Sequence, residues 1–172
     1  MATIENFVKA KEKLSKVLLE TNLIYSPIFS DESGNEIYIK LENLQKTGSF
    51  KIRGAYNKIS NLTDNEKQRG VVASSAGNHA QGVAYAAEES GIKAVIVMPK
   101  STPLIKVEST KKYGAEVVLY GDVYDDAFKK AKELEEKEGY IFVHPFNDEE
   151  VLYGQGTIAL EILEELPETD II

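Results

Sequence analysis

From Gly70 onward the apolar positions switch repeatedly between two periods. Val71 to Ser74 and Ala94 to Met98 are short, nearly continuous apolar runs of the kind buried strands require, and Val117 to Tyr120 and Ile141 to Val143 repeat the pattern. Between them lie longer stretches with helical spacing. Asn78 to Ser90 is rich in alanine, Pro103 opens a helix to about Tyr113, Tyr124 to Lys137 is charged along one side, and Glu149 to Glu165 stops before Pro167. Strands alternating with helices predict an α/β fold in three layers: a parallel sheet with helices on both faces and right-handed crossovers.

Ahead of Gly70 the pattern is less regular. Ile4, Phe7, Val8, Leu14, Val17 and Leu18 share one side of a helix predicted over Thr3 to Leu19, with Thr3 as its N-cap. Asn22 to Glu36 reads as a loop containing Ser26-Pro27 and a turn at Ser33-Gly34-Asn35. Ile37 to Leu41 alternates like a half-buried strand, and Gln45 to Ser49 is a polar loop containing a glycine. Ile52, Ala55, Tyr56 and Ile59 then mark a helix that Thr47 or Ser49 can cap.

Composition narrows the function classes. A chain of 172 residues is long enough for a sizeable core, and its net charge of −8 argues against nucleic acid or an anionic membrane surface as partner. It has no cysteine, which removes disulfides, thiolate metal sites and a cysteine nucleophile. No apolar run reaches membrane-spanning length and the N-terminus lacks a signal-peptide pattern, so a cytoplasmic protein is expected. The two histidines, His79 and His144, show no metal-ligand spacing. His79 is expected to shape a loop and His144 to pack near a strand end. Gly154-Gln155-Gly156 lies within a helix and lacks the third glycine of a dinucleotide fingerprint, so its glycines are expected to permit close helix packing. The acidic cluster from Glu133 to Glu138 reads as a solvated helix face.

Two places carry candidate chemistry. Lys51 stands in the first turn of a helix directly after Phe50, where the helix field disfavours a cation. That field and burial would lower the amine pKa and make it a better nucleophile and base, as a Schiff base to an aldehyde requires. On the residues alone, an ordinary lysine following a turn is the favoured reading. The second place is Ser75-Ala76-Gly77-Asn78-His79, at the carboxyl end of a strand and the start of a helix. Small residues and helix-terminal amides there suit an anion, though a tight strand-to-helix turn would use the same residues.

Gly48-Ser49-Phe50-Lys51-Ile52-Arg53-Gly54-Ala55 resembles the cofactor-lysine motif of the threonine/serine dehydratases, pyridoxal-phosphate enzymes of the tryptophan-synthase-β-like superfamily. Ser74 to Gly82, Met98-Pro99 and Gly154-Gln155-Gly156-Thr157 follow in the family's order and at family-like separations. The resemblance covers essentially the whole chain. It implies a fold-type-II architecture, with Lys51 as the Schiff-base lysine, Phe50 against the cofactor ring and Asn78 on the ring hydroxyl. Ser75 to His79 would bind the substrate carboxylate through backbone amides. It further implies dehydration and deamination of L-threonine to 2-oxobutanoate and ammonia, with L-serine giving pyruvate, in a homodimer or homotetramer.

Within the superfamily, Lys51-Ile52-Arg53-Gly54 favours the dehydratase and racemase group over cysteine and threonine synthases. Racemase relatives tend to carry serine at the position of Ala76, so dehydratase is the preferred expectation and serine racemase the alternative. The family's catalytic unit is roughly twice this length, and its phosphate-cradling glycine loop follows the position where this chain stops. The chain is therefore expected to be an N-terminal fragment, inactive alone, with Asp170-Ile171-Ile172 starting a further strand. Residues 47–146 would form a complete small domain, with residues 1–46 and 147–172 as pieces of a larger one. A non-enzymatic binding domain derived from the same half-fold is the remaining alternative.

Overall fold

The computed structural model describes residues 2–172. The regular alternation emerges as expected. β3 (Val71–Ser74), β4 (Ala94–Met98), β5 (Glu116–Leu119) and β6 (Ile141–Phe142) pair in parallel in the order β5-β4-β3-β6. Helices α5 (Asn78–Glu89), α6 (Leu104–Lys111) and α7 (Tyr124–Glu138) make the crossovers, and α8 (Glu149–Glu165) follows β6.

Side-chain alternation along the strands sends residues to two cores. Val71, Ala73, Ala94, Ile96 and Met98 pack with Ala80, Val83 and Ala84 of α5 and Val107 of α6. Val72, Val95 and Val97 meet Ala127 and Ala131 of α7 on the opposite face. Alanines on both helices let them sit close to a sheet whose central strands are branched and fully buried. The chain moves from β3 to β5 with helices on one face, then returns to β6 with α7 on the other, as one crossover hand throughout requires.

Helix α3 (Lys51–Ser60) packs between α5 and α8 rather than directly on the sheet. Glycines set both approaches. A Cβ on Gly82 of α5 would lie 3.0 Å from the Lys51 carbonyl, and one on Gly154 of α8 would lie 2.4 Å from the Arg53 carbonyl. Gly156 meets Phe7 of α1 (Ile4–Leu14) in the same manner, at 2.4 Å. The close-packing reading of Gly154 and Gly156 therefore holds.

The N-terminal third departs from expectation. Residues 22–36 are not a loop: they contain β1 (Leu23–Tyr25) and α2 (Pro27–Ser33), and β1 pairs antiparallel with β2 (Tyr38–Lys40). Ser26-Pro27 is a helix start, with the Ser26 side chain accepting from the Phe29 amide and Pro27 at the first position. Gly34, at φ 68°, is the left-handed residue that ends that helix. A further helix, α4 (Asp64–Arg69), was missed despite a capping box between Thr63 and Glu66. Helix α1 ends at Leu14 rather than Leu19, its tail turning back with the Leu18 amide on the Leu14 carbonyl. Asp170-Ile171-Ile172 forms no strand and is exposed, lining a groove of about 670 Å³ with Leu23, Tyr38 and Ile162.

Candidate active site

Strand order alone singles out one crevice. Chain connections diverge at β3, toward β4 on one side and β6 on the other, and ligands of open α/β sheets bind outside the carboxyl ends at such a reversal. Three elements meet there: the start of α3, the start of α5, and the segment after β6.

Lys51 is fixed through its helix. Neither Thr47 nor Ser49 caps α3 as expected. Phe50 occupies the cap position in helical conformation, Ser49 Oγ accepts only weakly from the Lys51 amide at 3.4 Å, and Thr47 Oγ1 is buried without a partner. Support comes instead from α8, where Gln155 Oε1 accepts from the Gly54 amide at 3.2 Å. The Lys51 ammonium donates to the Pro145 carbonyl at 2.9 Å and lies 5.3 Å from the centre of the Phe50 ring. Burial lowers the Lys51 pKa below the ordinary lysine value, and no carboxylate opposes that shift.

The loop after β3 lies at the head of α5. The Ser75 amide donates to the Val97 carbonyl and Ser75 Oγ accepts from the Gly77 amide at 3.2 Å, so these two N–H groups are engaged within the protein. Ala76, Asn78 and His79 keep amides without an acceptor among the described residues, and the exposed Asn78 side chain likewise has no partner. His79 is buried, and its Nε2–H donates to the Val143 carbonyl at 2.9 Å. That bond ties the start of α5 to the end of β6. Burial holds His79 at about 4 and so neutral, as expected of a residue that shapes the loop rather than titrates. His144 packs at the end of β6 among Phe128, Phe142 and Phe146, also as expected.

Sequence reasoning missed the Arg53 cluster. The fully buried guanidinium donates to both oxygens of Glu42 (2.7 and 2.8 Å), both oxygens of Glu161 (2.6 and 2.8 Å) and Thr157 Oγ1 (3.0 Å). Burial alone would push both carboxyls up, but hydrogen bonds and charge from Arg53 outweigh it and leave them lowered. Lys40 of β2 completes the cluster at 2.9 Å from Glu161. An arginine flanked by Ile52, Gly54 and Ala55 was the available signal. Among the described residues no group of histidine and carboxylate side chains could hold a metal, and no helix is long and apolar enough to cross a membrane.

Comparison with known proteins agrees with this geometry. The chain is 55% identical over its full length to an L-threonine ammonia-lyase of Thermotoga maritima, covering 43% of that protein. A threonine deaminase isoform of Solanum lycopersicum superposes with a TM-score of 0.89 at 44% identity, over 95% of this chain and 45% of that one. Maize serine racemase superposes with a TM-score of 0.93 at 37% identity, over 98% of this chain and 51% of that one. The chain thus spans about half the length of the proteins it matches. A family model described as pyridoxal-phosphate dependent enzyme matches residues 14–172, which takes in the desolvated lysine, the open-amide loop and the crevice between them, and to that family the chain belongs.

Proposed function

We propose that the whole protein is an ammonia-lyase that converts L-threonine to 2-oxobutanoate and ammonia, and L-serine to pyruvate as a secondary reaction. The observation that carries this reading is Lys51, a partly buried amine at a sheet reversal whose partner is a carbonyl rather than a carboxylate. The name of the Thermotoga maritima relative supports the substrate.

The residues present fit pyridoxal phosphate. A lowered amine pKa enlarges the neutral fraction that can bond an aldehyde carbon. Phe50 offers a half-exposed ring beside that amine, and Asn78 offers an unpartnered amide side chain. In this reading Lys51 would hold the cofactor covalently, with Phe50 beside its ring and Asn78 as a partner for its hydroxyl. When bound, the cofactor supplies an electron sink for the substrate α-carbon.

The chain's own residues do the rest. The amides of Ala76, Asn78 and His79 receive the substrate carboxylate, while Ser75 and Gly77 hold the loop's shape. Lys51 Nζ, when free, would take the substrate α-proton, and the Pro145 carbonyl would accept from the ammonium so formed. The Lys51 ammonium would return that proton to the departing β-hydroxyl, which leaves as water. The freed enamine product shifts a proton from nitrogen to its β-carbon, and water adding at the α-carbon of the resulting imine releases ammonia.

Residues 47–146 are inferred to be the small domain, built on the four-stranded sheet, and residues 1–46 and 147–172 parts of a larger one; the separate β1-β2 sheet supports that division. The protein is proposed to be a cytoplasmic homo-oligomer of amino-acid metabolism, in threonine breakdown or isoleucine synthesis.

Treating the whole protein with pyridoxal phosphate, reducing with borohydride and mapping the modified lysine tests the assignment. Labelling concentrated on Lys51, with turnover abolished in Lys51→Ala, is the expected result; labelling spread over surface lysines overturns it. The backbone match to maize serine racemase keeps racemisation as a second reading. Ala76 weighs against it, because a methyl group cannot deliver a proton to the opposite face of the α-carbon. D-serine forming faster than pyruvate from L-serine would reverse the preference.

A further inference from the structure

The carbonyl that faces Lys51 belongs to the Pro145–Phe146 peptide. Because a peptide is planar and this one is trans, its C=O and N–H point in opposite directions, so holding one end aims the other. The N–H end is held by a side chain. His144 Nδ1 accepts from the Phe146 amide at 3.2 Å and from the Asn147 amide at 2.8 Å. Between Phe142 and Glu149 no regular element supports the backbone, and Pro145 has no N–H of its own to contribute. The imidazole itself is braced edge-on by Phe146 at 4.6 Å, with Phe142 and Phe128 about 6 Å away.

Two amide donors on Nδ1 require that nitrogen to be unprotonated, which places the proton of the neutral ring on Nε2. The groups around the ring favour that state. Burial lowers the His144 pKa, Asp148 opposes it from the start of α8, and Lys132 of α7 lowers it again. His79 of α5 and Lys51 of α3 are the other titratable groups nearby.

We propose that His144 is a positioning residue: its Nδ1 holds the Pro145–Phe146 peptide so that a carbonyl dipole, and no fixed charge, receives the Lys51 amine. The catalytic consequence rests on Lys51 being the cofactor lysine, while the hydrogen bond itself does not. A carbonyl partner accepts from the ammonium after proton transfer without holding it as tightly as a carboxylate would. The lysine can then return its proton.

Two variants of the whole protein separate the acceptor from the ring. His144→Phe keeps the aromatic packing and removes the acceptor. His144→Asn loses the ring but retains an oxygen able to take amides two and three residues on. The first readout is the pH dependence of Lys51 acetylation by trace acetic anhydride in cofactor-free protein; the second is kcat and KM for L-threonine. In His144→Phe the Lys51 pKa should fall by about one unit and kcat by on the order of tenfold to a hundredfold, with KM changed far less. His144→Asn should recover most of both. Wild-type titration of Lys51 in His144→Phe, or a His144→Asn variant worse than His144→Phe, overturns the proposal. Should His144→Phe not fold, long-range 1H–15N correlation on the wild type decides: a proton on Nε2 supports the proposal and a proton on Nδ1 sinks it. Borohydride labelling of a lysine other than Lys51 would instead overturn the functional reading, leaving the acetylation result to stand by itself.

Discussion

Replacing His79 with glutamine removes a titrating ring while keeping an N–H that can reach the Val143 carbonyl. In the native structure the imidazole is 3% exposed, and its Nδ1 is buried without a partner. Burial is the largest cause of its lowered pKa, the Val143 bond opposes it, and the charges of Lys51 and His144 lower it further. The folded value is about 4 against an ordinary 6.5. The unfolded chain therefore binds the proton first as pH falls. Stability from this group is complete above about pH 6.5 and is lost progressively down to about pH 4. A gap of about 2.5 pH units at about 1.4 kcal/mol each amounts to about 3 kcal/mol. Urea denaturation of wild type and His79→Gln between about pH 7 and about pH 4 isolates this contribution, since every other titrating group is shared. The wild type should lose about 3 kcal/mol more than the variant over that range. Parallel stability curves, or an NMR titration of His79 near 6.5, would refute the reasoning.

Two further perturbations probe the frame around Lys51. Arg53→Met leaves Glu42 and Glu161 facing one another with only Lys40, on Glu161, as a cation, and should cost about 3 kcal/mol by chemical denaturation. Adding Glu42→Gln and Glu161→Gln to that variant should recover much of the loss. Because Arg53 holds both carboxyls below their ordinary 4.5, the wild-type cluster's contribution is present above about pH 4.5 and declines as pH falls further; the triple variant should show no such decline. Gly154→Ala puts a Cβ 2.4 Å from the Arg53 carbonyl, so α3 and α8 must separate, at about 1–3 kcal/mol in thermal unfolding. The same variant should label more weakly at Lys51 after reduction with borohydride.

What could be read from the sequence depended on how a residue's environment is encoded. β3 and β4 are buried on both faces, so their apolar runs carried their own boundaries, Val71–Ser74 and Ala94–Met98. In β1 the residues Leu23, Ile24 and Tyr25 are largely exposed and the run is short, so neither alternation nor burial marked a strand. Ser26-Pro27 reads as part of a loop because serine and proline serve both loops and helix starts, and only the following residues distinguish them. Of the candidate site, Lys51 and Ser75 to His79 are the part that local motifs nominate. The Pro145 carbonyl and the Arg53 cluster were not, because their partners lie 94 residues from Lys51 and up to 108 from Arg53 along the chain.

Lys51 and Arg53 show how one short helix separates two opposite electrostatic tasks. Two residues apart on a helix, their side chains leave the axis roughly 200° apart. Arg53 faces α8 and engages two half-buried carboxylates beside α3, of which Glu161 has Lys40 as its other cation. Lys51 faces the crevice and meets a carbonyl and an aromatic ring, with the neutral His79 nearby. A carboxylate beside Lys51 would raise its pKa and hold the ammonium, suppressing both the nucleophile and the base. On the role proposed for Lys51, drawing Glu42 and Glu161 to the far side of α3 would support its reactivity as well as the packing of the helix that carries it. On that reading the arginine would contribute to chemistry at a distance, by determining where the negative charge goes.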